Sequence, residues 1–275
     1  MRWLAVAALV GAAAHTPETS KASPNAEPAV LRVLFVRHAE SFNNVLNLVS
    51  HDYYRANRMA DPILTPLGEE QADEVGKHLA EARSGLLQHI SEVHVSPTVR
   101  TLETAKPLVR RLPGVKAVVD VDIFEVGGVY NEDELGSVEG QPGLSRSQMA
   151  AFGYALPDAV TEAGWYNLGC DATAHRLKES KEEGRARAAR VADRLRQLAA
   201  SLDERRTIAM VSHGDFIGLL LADLIAGGPE VAFKLYNTAL SCVDIRADGS
   251  VLVLFVNTVS HLESHQYRVA HLGVV

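Results

Sequence analysis

An arginine and a histidine, Arg37-His38, end the apolar run 31–36 and precede the polar turn Ala39-Glu40-Ser41. Guanidinium is a rigid fork of donors suited to a phosphate dianion, and an imidazole beside it could attack the phosphorus. Two further stretches end in the same way. The run 91–95 is followed by Ser96-Pro97 and Arg100, and the run 207–211 by Ser212-His213-Gly214-Asp215. If all three runs are strands, Arg37, His38, Arg100 and His213 reach one carboxyl edge of a single sheet. That edge is where open α/β sheets bind their ligands. The chemistry this set suits is phosphoryl transfer.

The elements that would position these groups can be read from periodicity and caps. Residues 31–36 form a short β-branched apolar run, the pattern of a buried strand. Ser96 as N-cap and Pro97 in the first turn would start a helix that places Arg100 near its open N–H groups. Thr65-Pro66 opens a second helix to about residue 82, with Leu67, Ala72, Val75 and Leu79 on one face. Residues 115–121 read as a strand leading to Asp122-Ile123-Phe124-Glu125, and 215–226 as an apolar helix. Residues 177–202 read as a charged helix whose Arg185, Arg187, Arg190, Arg194 and Arg196 form a solvated face. The stretches 242–246 and 251–256 flank Asp248-Gly249, a hairpin signal. Residues 41–60 are expected as a polar loop or short helix over the site. Residues 126–175 are glycine-rich and aperiodic, an irregular insertion over the carboxyl edge in which Trp165-Tyr166 either cap a pocket or simply pack.

Composition narrows the function classes. A net charge of −7 lacks the basic footprint of a nucleic-acid binder. Cys170 and Cys242 are too few for a disulfide scaffold, and no Cys/His cluster has metal-ligand spacing. His51, His94, His175, His261 and His265 are taken as structural. The apolar run 3–14 after Arg2 is too short to span a bilayer. It reads either as a secretory or organellar signal or as a disordered extension, so location stays open between those routes and the cytoplasm. Residues 15–29 read as a linker, which leaves one domain over 30–275.

With these motifs in place, the chain resembles the histidine phosphatase superfamily, in its phosphoglycerate mutase-like branch. The matching stretches are Val36-Arg37-His38-Ala39-Glu40-Ser41 with Asn44, Asp61-Pro62-Ile63-Leu64-Thr65-Pro66-Leu67-Gly68 with Gln71-Ala72, Ser96-Pro97 with Arg100-Thr101 and Glu103-Thr104-Ala105, and Val211-Ser212-His213-Gly214. Asn257 and His261-Leu262 are also familiar, and Ala39 replaces the glycine of the family motif. The expected fold is an α/β three-layer sandwich, a mostly parallel sheet with helices on both faces. The resemblance implies a metal-independent phosphomonoesterase without cofactor, in which His38 is the nucleophile of a phosphohistidine intermediate. Arg37, Arg100 and His213, with His213 protonated, would hold the phosphoryl group, contacted also by Ser41, Asn44 and the Gly214 backbone. Glu125 matches the family's acid in position, with Glu103 and Asp215 as competitors.

Two other readings stand beside the phosphatase. One is a phosphoglycerate-type mutase, disfavoured by the acidic stretch Glu132-Asp133-Glu134 where such mutases carry basic residues. The other is a non-catalytic phospho-ligand-binding protein, disfavoured because the whole residue set is present. The substrate is a small phosphorylated molecule or a phosphoprotein, and the sequence is silent on oligomeric state.

Overall fold

The first strand sets the frame. In a computed structural model, which describes residues 29–81, 89–133, 136–166, 178–228 and 231–262, β1 (Val30–Arg37) is central in a six-stranded sheet. Its alternate side chains face two separate cores, as the period-two geometry of a strand requires. Leu34 and Val36 join a core with Val75 and Leu79 of α3 (Pro66–Glu81) and Leu102 and Leu108 of α4 (Val99–Arg111). Leu31, Val33 and Phe35 join a core with Val191 and Leu195 of α6 (Lys181–Ala200) and Phe216 and Leu220 of α7 (Gly214–Ala226). A sheet apolar on both faces and covered on both by helices is a three-layer α/β sandwich.

The strand order is β3 (Lys116–Val119), β2 (Ile90–Val95), β6 (Arg206–Ser212), β1, β7 (Leu240–Arg246), β8 (Val251–Thr258). The pairs β3–β2, β2–β6 and β6–β1 are parallel, while β7 is antiparallel to both neighbours. The β7–β8 hairpin turns at Gly249, whose φ of 81° is left-handed, as the Asp248-Gly249 signal anticipates. One polar residue interrupts β1. Arg32 makes a buried two-bond ion pair, 2.7 and 2.7 Å, with Asp244 directly opposite on β7. Among the described residues no helix is long and apolar enough to cross a membrane.

The segment after β1 folds as two short helices, α1 (Phe42–Val49) and α2 (His51–Asn57). Helix α3 starts as its sequence predicts, with Pro66 in the first position and Thr65 Oγ1 accepting from the Gly68 N–H at 3.0 Å. Gly68 is required here for space. A Cβ at this position would lie 2.0 Å from the Glu40 carbonyl oxygen, two residues beyond His38. Gly68→Ala is therefore expected to lower stability by about 1–3 kcal/mol, read as a shift of the denaturant midpoint at unchanged slope.

Three local expectations need correction. Helix α4 begins at Val99, not at Pro97, and its N-cap is Thr98 rather than Ser96. Its first N–H is satisfied from another loop, by Asp61 Oδ1 at 3.0 Å. The strand expected over 115–121 is shorter, because Asp120 turns toward β2 and gives its N–H to Val95 O at 2.8 Å. The insertion after residue 126 is less irregular than its glycines suggest. It holds the ribbon β4 (Tyr130–Glu132) and β5 (Val138–Gly140) and the short helix α5 (Arg146–Ala150), and Ala155 extends the sheet beside Val118. The N-terminal segment, Cys170, His175 and His265 lie outside the described residues.

Candidate active site

Three parallel strands bring their polar ends level through a staggered ladder of backbone bonds. His38 N–H donates to Ser212 O at 2.9 Å and Ser96 N–H to Val211 O at 3.0 Å. The His38 and His213 rings consequently face each other, 5.2 Å between centroids. Arg100, on the first turn of α4, gives Nη2 to His213 Nδ1 at 3.0 Å. Arg37 donates Nη1 to Leu235 O and lies against Gly214, where a Cβ would come within 3.2 Å of Nε.

Hydrogen-bond partners settle both imidazole tautomers. A carbonyl only accepts, so Nδ1 of His38, 2.7 Å from Ala39 O, carries the proton and Nε2 keeps a free lone pair. A guanidinium only donates, so Nδ1 of His213 is bare and its Nε2–H points to Ser96 Oγ at 2.8 Å. Burial, then Arg100 and Arg37, hold the His38 pKa well below the ordinary imidazole value. Burial, then Arg100 and His38, do the same to His213. The free protein thus favours a neutral His213; the protonated form expected from the sequence is the one beside a bound phosphate.

Buried cations dominate the field. Burial works against the Arg37 and Arg100 charges, while Glu125 with Asp215 supports the first and Asp61 with Glu125 the second. The Arg37 Nε–H is buried with no partner. An orphaned donor of this kind is rare in folded proteins and is what an anion would satisfy. Glu125 follows a turn beyond β3 and accepts at Oε1 from Val126 N–H (2.9 Å) and Phe216 N–H (3.1 Å). With Oε1 so committed, a proton on this carboxyl resides on Oε2. Burial, and next the Asp215 charge, push its pKa up to about 7.

Ser41 and Asn44 meet beside His38, where Ser41 N and Oγ each lie 3.0 Å from Asn44 Oδ1. Asn237 joins them, donating Nδ2 to His38 O at 3.0 Å and to Asn44 Oδ1 at 3.3 Å. Asn237→Ala should lower kcat/KM about tenfold and stability by about 1–2 kcal/mol, because it removes one donor from the buried His38 carbonyl and one from the half-buried Asn44 Oδ1, each of which keeps another. Steady-state kinetics and chemical denaturation on one preparation would check both effects.

A model of the histidine phosphatase superfamily (branch 1) matches residues 33–258, most of the chain. The chain belongs to this superfamily. Among curated proteins, this histidine phosphatase superfamily member is 34% identical over 117 residues to phosphoglycerate mutase-like protein 2 of Arabidopsis thaliana, covering 42% of this chain and 31% of the relative. It is 40% identical over 70 residues to a phosphoglycerate mutase-like protein of the same plant, covering 26% of this chain and 25% of that one. The chain thus spans only a quarter to a third of these relatives' length. Its fold matches a mutant phosphoserine phosphatase of Entamoeba histolytica in complex with phosphoserine, with TM-score 0.52 and 19% identity over 84% of this chain and 99% of that one. It also matches a mycobacterial glucosyl-3-phosphoglycerate phosphatase, with TM-score 0.51 and 20% identity over 84% and 100%.

For this superfamily member the structure brings together His38, Arg37, Arg100, His213, Ser41, Asn44 and Gly214, and sets Glu125 within their field. Glu103 is elsewhere, its carboxylate holding the Leu64 N–H at 2.9 Å. Trp165 and Tyr166 pack rather than cap. Both are buried against Phe124, and Tyr166 donates its hydroxyl proton to Gly127 O at 2.9 Å. His94 lies between Glu92 and Asp120, and His261 is bonded to Thr238. The acidity of the insertion is offset from outside it. Arg55 pairs with Glu132 at 2.7 Å, and Arg58 and Lys178 stand over the Tyr130 ring, 3.6 and 4.6 Å from its centroid.

Sequence reasoning missed Asn237, Asp61 as the acceptor for the first N–H of α4, and Arg187. Asp61 was visible in the motif but had no role, and its burial raises its pKa to about 6. Arg187 was placed on a solvated face, yet it is buried, its guanidinium enclosed by Glu179 and two loop carbonyls. Glu179 stands eight residues before it and ahead of the N-cap Ser180, outside the i,i+3 and i,i+4 spacing of helical pairs, so the sequence carries no local signal of this ion pair.

Proposed function

We propose that this chain is a metal-independent phosphomonoester hydrolase working through a phosphohistidine on His38. The observation that carries the reading is the meeting of a neutral imidazole, its Nδ1 fixed on a carbonyl, with two buried guanidiniums, one holding an orphaned N–H. The substrate dianion binds between Arg37 and Arg100, with Ser41, Asn44 and the Gly214 N–H as further contacts. His38 Nε2 forms a bond to phosphorus as the ester P–O bond breaks, and the cations stabilise the charge on the equatorial oxygens. Glu125 gives its proton to the departing alkoxide, then takes one from the water that cleaves the phosphohistidine.

The bound dianion also favours protonation of His213. A protonated Nδ1 can no longer accept from Arg100, so that guanidinium is released toward the phosphate.

A mutase reading has two supports, the phosphoglycerate mutase-like relatives and the cations gathered on Tyr130. The deciding experiment supplies phosphomonoesters, 2- and 3-phosphoglycerate among them, in chelator and ¹⁸O-labelled water. Hydrolysis releases phosphate carrying one solvent oxygen. Interconversion of the phosphoglycerates without labelled phosphate would overturn the hydrolase in favour of the mutase.

A further inference from the structure

Glu125 lies in the connection 120–128, which contains no helix or strand, so its carboxyl is only as well placed as that connection. Part of the support comes from the sheet, where Ser212 donates Oγ–H to Ile123 O at 2.7 Å. Most of it comes from α6. Arg187 is 3% exposed, and its Nη1 donates to both Asp122 O (2.8 Å) and Phe124 O (2.9 Å). The remaining edge of the fork is closed by Glu179, with Nε to Oε1 at 2.9 Å and Nη2 to Oε2 at 2.7 Å.

Glu179 in turn holds the other side of the connection. Its N–H donates to Gly127 O at 3.0 Å, and its Oε2 accepts from Gly127 N–H at 3.3 Å. Residues 122, 124 and 127 are therefore bound to one ion pair, with Glu125 between them. The guanidinium also lies on the Phe124 ring, 3.5 Å from its centroid, and 4.5 Å from that of Phe216, whose backbone N–H holds Glu125 Oε1. Gly184, one turn before Arg187, permits the close approach of α6, since a Cβ there would already be 3.0 Å from Val126 Cγ1.

We propose that Arg187 and Glu179 form a positioning pair that sets the Glu125 carboxyl at the leaving-group oxygen. Neither residue touches the reacting atoms. A buried ion pair costs desolvation and is often replaceable by apolar side chains without loss of stability. Here the fork does what an apolar side chain cannot, because it satisfies two carbonyls on the strand side of Glu125 and orients the carboxylate that holds the other side.

This inference rests on Glu125 being the acid, and the test separates the two. The measured quantity is the ratio of kcat/KM for an alkyl phosphate to that for 2,4-dinitrophenyl phosphate in one sample. The first leaving group needs a proton and the second does not. The ratio is also blind to the fraction of protein that is folded. Glu125→Gln should collapse it, and Arg187→Lys and Glu179→Gln should each lower it about tenfold, the scale expected from a displacement of under 1 Å. Added to Glu125→Gln, either change should lower the ratio no further.

Arg187→Lys keeps the charge but loses the fork, and Glu179→Gln keeps the shape but loses the charge and one acceptor, so one remains informative if the other fails to fold. A ratio that falls with Glu125→Gln but holds in both pair variants would overturn the positioning role alone. A ratio unmoved by Glu125→Gln would overturn the acid assignment, and the inference with it. Losses that add in the double variants would mean the pair acts through some other group.

Discussion

His38→Ala is expected to abolish turnover, with kcat/KM down by roughly 10⁴-fold or more for alkyl and aryl esters alike. The loss is independent of the leaving group, because the nucleophile forms the bond to phosphorus whatever departs. The same variant should take up no label when the protein is mixed with a ³²P-labelled phosphomonoester and quenched in alkali, where phosphohistidine survives. Folding should be little affected, since the His38 side chain has one hydrogen bond, to the adjacent Ala39 carbonyl, and packs on polar neighbours. Binding should also persist, because Arg37, Arg100 and Ser41 remain. If phosphate still binds but the wild-type protein neither turns over nor labels, a non-catalytic phospho-ligand-binding role gains ground. Turnover surviving in His38→Ala would remove the central assignment.

What could be read from sequence and what could not divides along the range of the interactions. The end of β1, the start of α3 at Thr65-Pro66 and the hairpin at Asp248-Gly249 are local, and each appears in the structure where composition and spacing put it. The strand-end residues were legible because parallel strands in register must present their carboxyl ends together. The start of α4 was not. Ser96 looked like a cap, but its hydroxyl is engaged by His213 across the sheet, and the helix starts after Thr98 with its first N–H met by Asp61 from another loop. Only the tertiary fold brings those three together.

Arg187 and Arg32 show the same limit with charge. A charged helix face and a lone arginine in an apolar strand look solvated or misplaced in isolation. In the fold they find Glu179 and Asp244 and are buried. The insertion was misread for the opposite reason. Its glycines suggested loose chain, yet Gly128 has φ 76° and packs against Tyr166, where a Cβ would lie 2.0 Å from the hydroxyl oxygen. A glycine required by a close contact is indistinguishable, in one sequence, from a glycine in a flexible loop.

Glu125→Gln is expected to act on rate and stability in opposite directions, and pH separates the two. The acid must be protonated to serve an alkoxide, and its pKa stands at about 7, raised by burial and the Asp215 charge. Wild-type kcat/KM for an alkyl phosphate should therefore fall tenfold per unit as pH rises beyond about 7. Glutamine keeps a carbonyl oxygen for Val126 and Phe216 N–H but has no proton to give, so the rate should drop roughly 10²–10⁴-fold at pH 6 and lose that descending limb. The sign for stability follows from linkage. A carboxyl whose pKa is higher folded than unfolded binds more protons in the native state, so the wild-type protein loses stability as pH rises from about 4.5 through 7. Glutamine removes that loss, and the variant should exceed wild type by a few kcal/mol at pH 8 while matching it near pH 4.5. Denaturant melts at the two pH values give the comparison. A site that holds its acid against the preference of the carboxylate for water sacrifices stability for chemistry, and a variant both inactive and less stable at pH 8 would rule that account out.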